Sequence, residues 1–213
     1  MKLYIGNKNY SSWSMRPWVL LTQAGIAFEE VNIRFDAFTP ESAFKTELAR
    51  HTPAGRVPVL VDEGFAVWDT LAIVEYLHER YPERGIWPAD PKARARARCL
   101  CAEMHAGFSA LRSHCPMNIE AHLPEVGERL WREQESVRRD VARIESMWAE
   151  ALAASGGPYL FGAFSAVDAF YAPVCMRLRG YALPVSGTTR GCVDRIAAAP
   201  GVARWIADAL QAI

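Results

Sequence analysis

At 213 residues, with 51% hydrophobic and 23% charged positions, the chain has the make-up of a globular protein large enough for one big domain or two modest ones. Lys+Arg and Asp+Glu both number 24, so no net charge draws it to nucleic acid or to an anionic membrane, and neither is expected as a partner. Five cysteines without a Cys-x-x-Cys pair, and an N-terminus "MKLYIGNKNY" lacking the apolar run of a secretion signal, point to a reduced, cytoplasmic protein.

The first part alternates strand-like and helix-like runs. "KLYIG" at Lys2–Gly6 reads as a strand. "SSWSMRPW" at Ser11–Trp18 follows, and its Pro17 marks a helix start, because proline fits best in a first turn. "WVLLTQAG" at Trp18–Gly25 carries that helix to a terminal glycine. Within "FEEVNIRF" at Phe28–Phe35, Val31, Ile33 and Phe35 alternate with polar residues as in a strand. "VPVLVDEGFAVWD" at Val57–Asp69 reads as two strands around a turn at Asp62-Glu63-Gly64. "TLAIVEYLHERYP" then places Leu71, Val74 and Leu77 on one side of a helix. The order βαβ–ββα over residues 1–80 describes a small mixed sheet with helices.

The proline- and charge-rich "PERGIWPADPKA" reads as a linker over 81–92. From 93 to 213 only helical patterns appear, at about 93–112, 124–155, 165–179 and 193–212. In "KARARARC", alanines separate the basic residues, which suits a solvated helix face better than nucleic-acid contact. Histidines and cysteines show no metal-ligand spacing, so no metal is expected.

Two stretches together resemble the glutathione-binding half of cytosolic glutathione transferases. That family usually shows Asn-Pro-x-x-Lys/Gln-Val-Pro, then Glu/Gln-Ser-x-Ala-Ile-x-x-Tyr-Leu. This chain has Thr52-Pro53-Ala54-Gly55-Arg56-Val57-Pro58 and Asp69-Thr70-Leu71-Ala72-Ile73-Val74-Glu75-Tyr76-Leu77, with the same spacing. "SAVDAFYAPV" further resembles the family's buried helix, with Ser165 as cap and Asp168 returning a bond to the capping amide. The resemblance implies a thioredoxin-like α/β N-terminal domain, an all-α C-terminal domain and a homodimer.

It also implies a site. Glutathione must be bound with its thiol ionised, since the thiolate is the nucleophile. A helix N-terminus with a hydroxyl donor would favour that form. Five residues before Arg16, the resemblance puts the thiol-contacting residue at Ser11, with Ser12 next and Tyr10 or Tyr4 behind. Any of these serines, Ser14 included, can equally be a plain N-cap. Pro58 resembles the family's cis-proline, which turns the Val57 backbone toward the ligand's cysteinyl residue. Asp69 would pair with the γ-glutamyl ammonium, Thr70 would hold its carboxylate, and Arg56, or less directly Lys45, would approach the glycyl carboxylate.

The two adjacent serines resemble the zeta class, but a tryptophan, Trp13, stands where that class has cysteine, which argues against maleylacetoacetate isomerisation. A cysteine in place of Ser11 would be needed for omega-like thiol transfer. The nearest resemblance is to bacterial serine-type glutathione transferases that conjugate a small electrophile. "EMHAGFSALR" is expected to supply Met104, His105, Phe108 and Arg112 to the electrophile pocket; Met104, Phe108 and Arg112 are spaced by four, Arg112 is able to orient an anionic substrate, and His105, one step round, reads as a core or surface residue rather than a base. Two rival readings are a glutathione-dependent isomerase or reductive enzyme, and a non-catalytic member that binds glutathione or a protein partner.

Overall fold

A computed structural model describes residues 1–37 and 39–211. Ala212 and Ile213, to which the last expected helix and domain extend, lie outside them. Four strands, β1 (Lys2–Ile5), β2 (Glu29–Asn32), β3 (Val59–Asp62) and β4 (Phe65–Trp68), form one sheet in the order β2-β1-β3-β4. β2 runs parallel to β1, while β3 and β4 are antiparallel to their neighbours. Glu63 and Gly64 both adopt positive φ, 49° and 84°, the two-residue turn that joins twisted antiparallel strands. This is the thioredoxin-like arrangement expected, with α1 (Ser12–Gln23) as the crossover between the parallel pair.

Each sheet face has its own apolar layer. Leu3, Ile5 and Leu60 pack with Met15 and Val19 of α1 and with Ile73, Val74 and Leu77 of α3 (Thr70–Arg80). On the other face Tyr4, Ile33 and Val59 meet Phe44 and Leu48 of α2 (Ala43–Leu48). That short helix has no counterpart in the sequence reading: six residues carry too little periodicity, and it stands on the Ser42 cap and two buried side chains.

Two expectations need correcting here. α1 begins at Ser12 rather than around Pro17, which sits inside the helix. A single proline removes one N–H and leaves a helix otherwise held by tertiary packing, and the packed face of α1 runs unbroken from Ser14 to Leu21. β2 is four residues ending at Asn32, short of the alternation that suggested a strand to Phe35; Ile33 still donates its amide to Ile5 O (2.8 Å).

The rest is helical: α4 (Pro91–Ala106), α5 (Ser109–His114), α6 (Pro124–Glu133), α7 (Glu135–Ser155), α8 (Ala166–Gly180), α9 (Gly187–Ala198) and α10 (Pro200–Gln211). Three of the four expected helices are longer or more broken than the patterns suggested. Gly107 and Phe108, the latter at φ 54°, divide α4 from α5. Gln134 divides α6 from α7, and Pro200, which disfavours a helical residue before it, divides α9 from α10. α8 is buried along nearly its whole length. Its Asp168 accepts from Ser165 N (2.9 Å) and Leu160 N (3.1 Å), the buried capping bond that the sequence implied.

One core joins the two parts. α1 packs against both α8 and α10, and Trp18 meets Trp205 edge to face at 5.3 Å. Trp205 donates to Lys8 O (3.0 Å), and Asn9 Oδ1 receives the amides of Ile119 (2.6 Å) and Glu120 (3.0 Å). The start of α1 is therefore clamped from both sides, beside a cleft between sheet and helices. Among the described residues no helix is long and apolar enough to cross a membrane, and all five cysteines are free.

Candidate functional site

The cleft begins at the N-terminus of α1. Ser11 is the capping residue by position, yet its side chain caps no backbone amide. Its Oγ instead lies 2.7 Å from Ser14 Oγ, which receives the Gly6 amide at 3.1 Å. Ser12 Oγ accepts from Arg177 Nη2 of α8 at 3.4 Å, and Arg177 is fixed by Cys115 O and Pro173 O. Ser11 and Ser12 both line a recess of about 290 Å³ whose other walls include Tyr10, Lys45, Arg56 and Val57.

The Val57–Pro58 bond is cis, as the resemblance implied. Val57 and Arg56 close the recess and also open onto a second space, a cleft of about 490 Å³ with Pro58, Asp69, Thr70, His105 and Arg112 in its walls. Trp13 is common to both. Lys45 spends its ammonium on Gly55 O (2.6 Å), so it braces the loop carrying Arg56.

Asp69 caps α3, accepting from Leu71 N at 3.0 Å, and sits at φ 73°. Few non-glycine residues adopt positive φ, and aspartate is among those that do so most readily. The conformation leaves the second carboxylate oxygen facing His105 Nε2 at 3.4 Å. Thr70, fully buried, brings Oγ1 within 3.5 Å of His105 Nδ1. Burial lowers the His105 pKa, against the pull of Asp69 and with help from Arg16 and Arg112.

Trp13 organises the floor. Its ring lies 4.1 Å from the Arg16 guanidinium and 4.9 Å from that of Arg112, with His105 edge-on at 5.0 Å. Arg16, 1% exposed, also lies over Phe170, and its Nε and Nη1 have no hydrogen-bond partner among the described residues. Burial first, then Arg112 and Arg177, depress its pKa to about 9. Burial likewise lowers Arg112, and lowers Arg177 to about 10. No carboxylate pairs with any of the three among the described residues. These three guanidiniums outnumber Asp69, the cleft carboxylate whose charge reaches Arg16, so the surroundings of the Trp13 ring favour an anionic ligand.

Ser11, Ser12, Arg56, Val57, Pro58, Asp69 and Thr70 therefore line two adjoining spaces that share Trp13, Arg56 and Val57, with Tyr10 in the wall of the smaller. Tyr4 does not: it lies in the far-side core, stacked on His51 at 4.1 Å. Met104 and Phe108 are core residues too, and because α4 ends before Phe108 the spacing of four does not set one face for Met104, Phe108 and Arg112. His105, supplied by the same segment and read as a core or surface residue rather than a base, lines the cleft. The sequence offered Ser14 only as a plain N-cap and Trp13 and Arg16 only as markers of position, and it did not point to Arg177. The first three share the first turn and a half of α1, where polar residues in an otherwise apolar helix were the available signal.

The chain matches the glutathione S-transferase N-terminal domain over residues 10–80 and the glutathione S-transferase C-terminal domain over residues 75–208. It is 33% identical to a maleylacetoacetate isomerase of Pseudomonas aeruginosa over 120 residues, 56% of this chain and 55% of that protein. The match thus spans about half the length of that relative. With a stringent starvation protein A homolog of Coxiella burnetii it is 27% identical, over 84% of this chain and 76% of the other. Among solved structures, a maleylacetoacetate isomerase from Methylobacterium extorquens AM1 with bound malonate and GSH superposes with TM-score 0.68 and 25% identity, covering 96% and 95% of the two chains. A glutathione transferase homolog from Burkholderia gl BGR1 with bound glutathione gives TM-score 0.72 over 100% of this chain and 98% of that one; at 23% identity this likeness speaks for the fold. With both of its parts matched in sequence and its whole length matched in fold, the chain belongs to the glutathione S-transferase family.

Proposed function

We propose that the protein binds glutathione across the two joined spaces and directs its thiolate at a small electrophile carrying a carboxylate. The observation that carries this reading is that the Ser11 recess adjoins the cleft over Asp69 and Thr70, with Arg56, Val57 and Trp13 in the walls of both. A tripeptide with an ammonium and two carboxylates finds partners for its charges along that path.

In this reading Asp69 takes the γ-glutamyl ammonium, and the Thr70 hydroxyl and first-turn amides of α3 take the adjacent carboxylate. The Val57 backbone pairs with the cysteinyl residue, and Arg56 approaches the glycyl carboxylate. The thiol then lies at the start of α1, where orphan amides, the positive helix end and the Ser11 hydroxyl stabilise the ionised form. Lowering the thiol pKa raises the fraction of nucleophile at neutral pH. Arg112, with Arg16 behind Trp13, attracts the carboxylate of the incoming electrophile and holds its reactive carbon near the sulfur. Such a substrate fits the names of the relatives and leaves isomerisation, in which glutathione is regenerated, as the second reading.

A homodimer and a cytoplasmic, detoxifying role accompany this proposal; Phe65 and Trp68 on β4, 64% and 41% exposed, are apolar surface suited to a second copy. The test is glutathione binding by calorimetry with ultraviolet titration of the bound thiol, for wild type and Ser11→Ala. The expected result is binding, a thiol that ionises below the pH of free glutathione, and a smaller shift in Ser11→Ala. Binding without the shift would favour a non-catalytic member, and absence of binding would overturn the assignment. Product analysis separates conjugation from isomerisation, since only the former consumes glutathione.

A further inference from the structure

Ser14 is wholly buried in the first turn of α1, and the role proposed for Ser11 makes no use of it. Its Oγ touches two groups: it receives the Gly6 amide at 3.1 Å and lies 2.7 Å from Ser11 Oγ. A serine hydroxyl has one proton to give and room to accept two. Were Ser11 to donate into this pair, Ser14 would accept twice, and its own proton would have no other acceptor among the described contacts. In a dry interior such an unmade donor is costly. With Ser14 donating instead, every group is satisfied and the Ser11 proton is released toward the recess.

We propose that Ser14 is a positioning residue that fixes Ser11 as a hydrogen-bond donor to the glutathione thiolate. The proton order runs from the Gly6 amide to Ser14, from Ser14 to Ser11, and from Ser11 to sulfur. Each bond in such a chain polarises the next, so the last hydroxyl is a better donor than an isolated serine. Gly6 directly follows β1, and its amide anchors the chain to the sheet. Ser12 is organised differently, from the helical side by Arg177, and does not join this chain. The inference rests on Ser11 facing the thiol, and the experiment keeps the two apart.

Wild type, Ser11→Ala, Ser14→Ala and the double variant are titrated with glutathione bound, following thiolate absorbance, and assayed with a chromogenic chloronitrobenzene. Ser14→Ala is expected to move the thiol midpoint toward that of free glutathione and to lower kcat by about three- to tenfold, the range of one modest hydrogen bond, with the glutathione KM little changed. The double variant is expected to match Ser11→Ala alone, because Ser14 acts only through Ser11. Should Ser14→Ala fail to fold, Ser14→Cys, of similar size but a weak donor, carries the same comparison. A Ser14 variant that changes only the melting temperature, or a double variant with additive loss, overturns the role of Ser14 while leaving Ser11 in place. A thiol midpoint in Ser11→Ala equal to that of wild type removes the reading of Ser11, and the positioning role with it.

Discussion

His105 Nε2 stands 3.4 Å from Asp69 Oδ2 and its Nδ1 faces Thr70 Oγ1 at 3.5 Å, so one ring of α4 touches both residues at the start of α3. Asp69 is the group proposed to receive the ligand ammonium, which gives the imidazole a say in binding. Burial holds the His105 pKa below its ordinary 6.5, leaving the ring neutral at pH 7. As pH falls below that value the ring gains a proton, pairs with Asp69 and repels the ammonium. Glutathione affinity is therefore expected to weaken on acidification, and His105→Gln to flatten that acid limb. Calorimetry at several pH values stepped down from about 7.5 to below the ordinary histidine range checks this. Equal acid sensitivity in the variant would remove His105 from the site.

Asp69 combines a helix cap with a charge, and two substitutions separate them. Asp69→Asn keeps a side-chain acceptor for Leu71 N and tolerates the positive φ, but loses the charge. It is expected to weaken glutathione binding about ten- to a hundredfold, roughly 1.5–3 kcal/mol for a charged hydrogen bond, with the melting temperature nearly unchanged. Asp69→Ala loses the cap as well and strains the backbone at φ 73°, so it should cost about 1–3 kcal/mol of stability in addition. Binding and thermal unfolding, measured together, distinguish the two.

How far the sequence reached depends on how local each signal is. The Asp62-Glu63-Gly64 turn was legible because Gly64 suits the positive φ, 84°, that a tight hairpin turn requires. The Ser165–Asp168 capping bond was legible for the same reason: a fixed offset and two residues with one job. Pro17 misled because its local preference for a first turn was outweighed by packing of α1 against α8 and α10, a tertiary effect no window contains. The contacts of Arg16 and Arg112 with the Trp13 ring join residues about a hundred positions apart. Nothing in the local pattern of either segment announces them. Candidate ligand contacts could be named from motif spacing, but not the electrostatics of the cleft they enclose.

Arg16 gives that electrostatics a test. A guanidinium that is buried, flanked by two rings and short of hydrogen-bond partners is a burden on the fold. Arg16→Met preserves an elongated side chain between Trp13 and Phe170 and removes the charge. It is expected to leave stability unchanged or raise it by about 1–3 kcal/mol, while slowing reaction with a carboxylate-bearing electrophile more than with an uncharged one. Urea unfolding and paired kinetics report the two effects. Marked destabilisation, with both electrophiles slowed alike, would show that Arg16 supports the fold alone.

Asp168 carries the pH dependence of the helical half. Burial pushes its carboxyl up to about 6 from an ordinary 3.8, despite the Leu160 and Ser165 amides, which favour the ionised form. Between those two values the folded chain holds a proton that the unfolded chain has released. Stability from this group is therefore greatest near pH 4 and declines as pH rises toward 6, by up to about 3 kcal/mol. Other carboxylates titrate over the same range, so the clean measure is the gap between wild type and Asp168→Asn, which has no proton to lose. One amide loses its acceptor in the variant, placing it about 1–3 kcal/mol below wild type at neutral pH. That gap is expected to widen as pH falls from about 7 to about 4, followed by urea unfolding at several pH values. A gap constant with pH would mean that Asp168 stays ionised throughout, held by its two amides more strongly than burial opposes them.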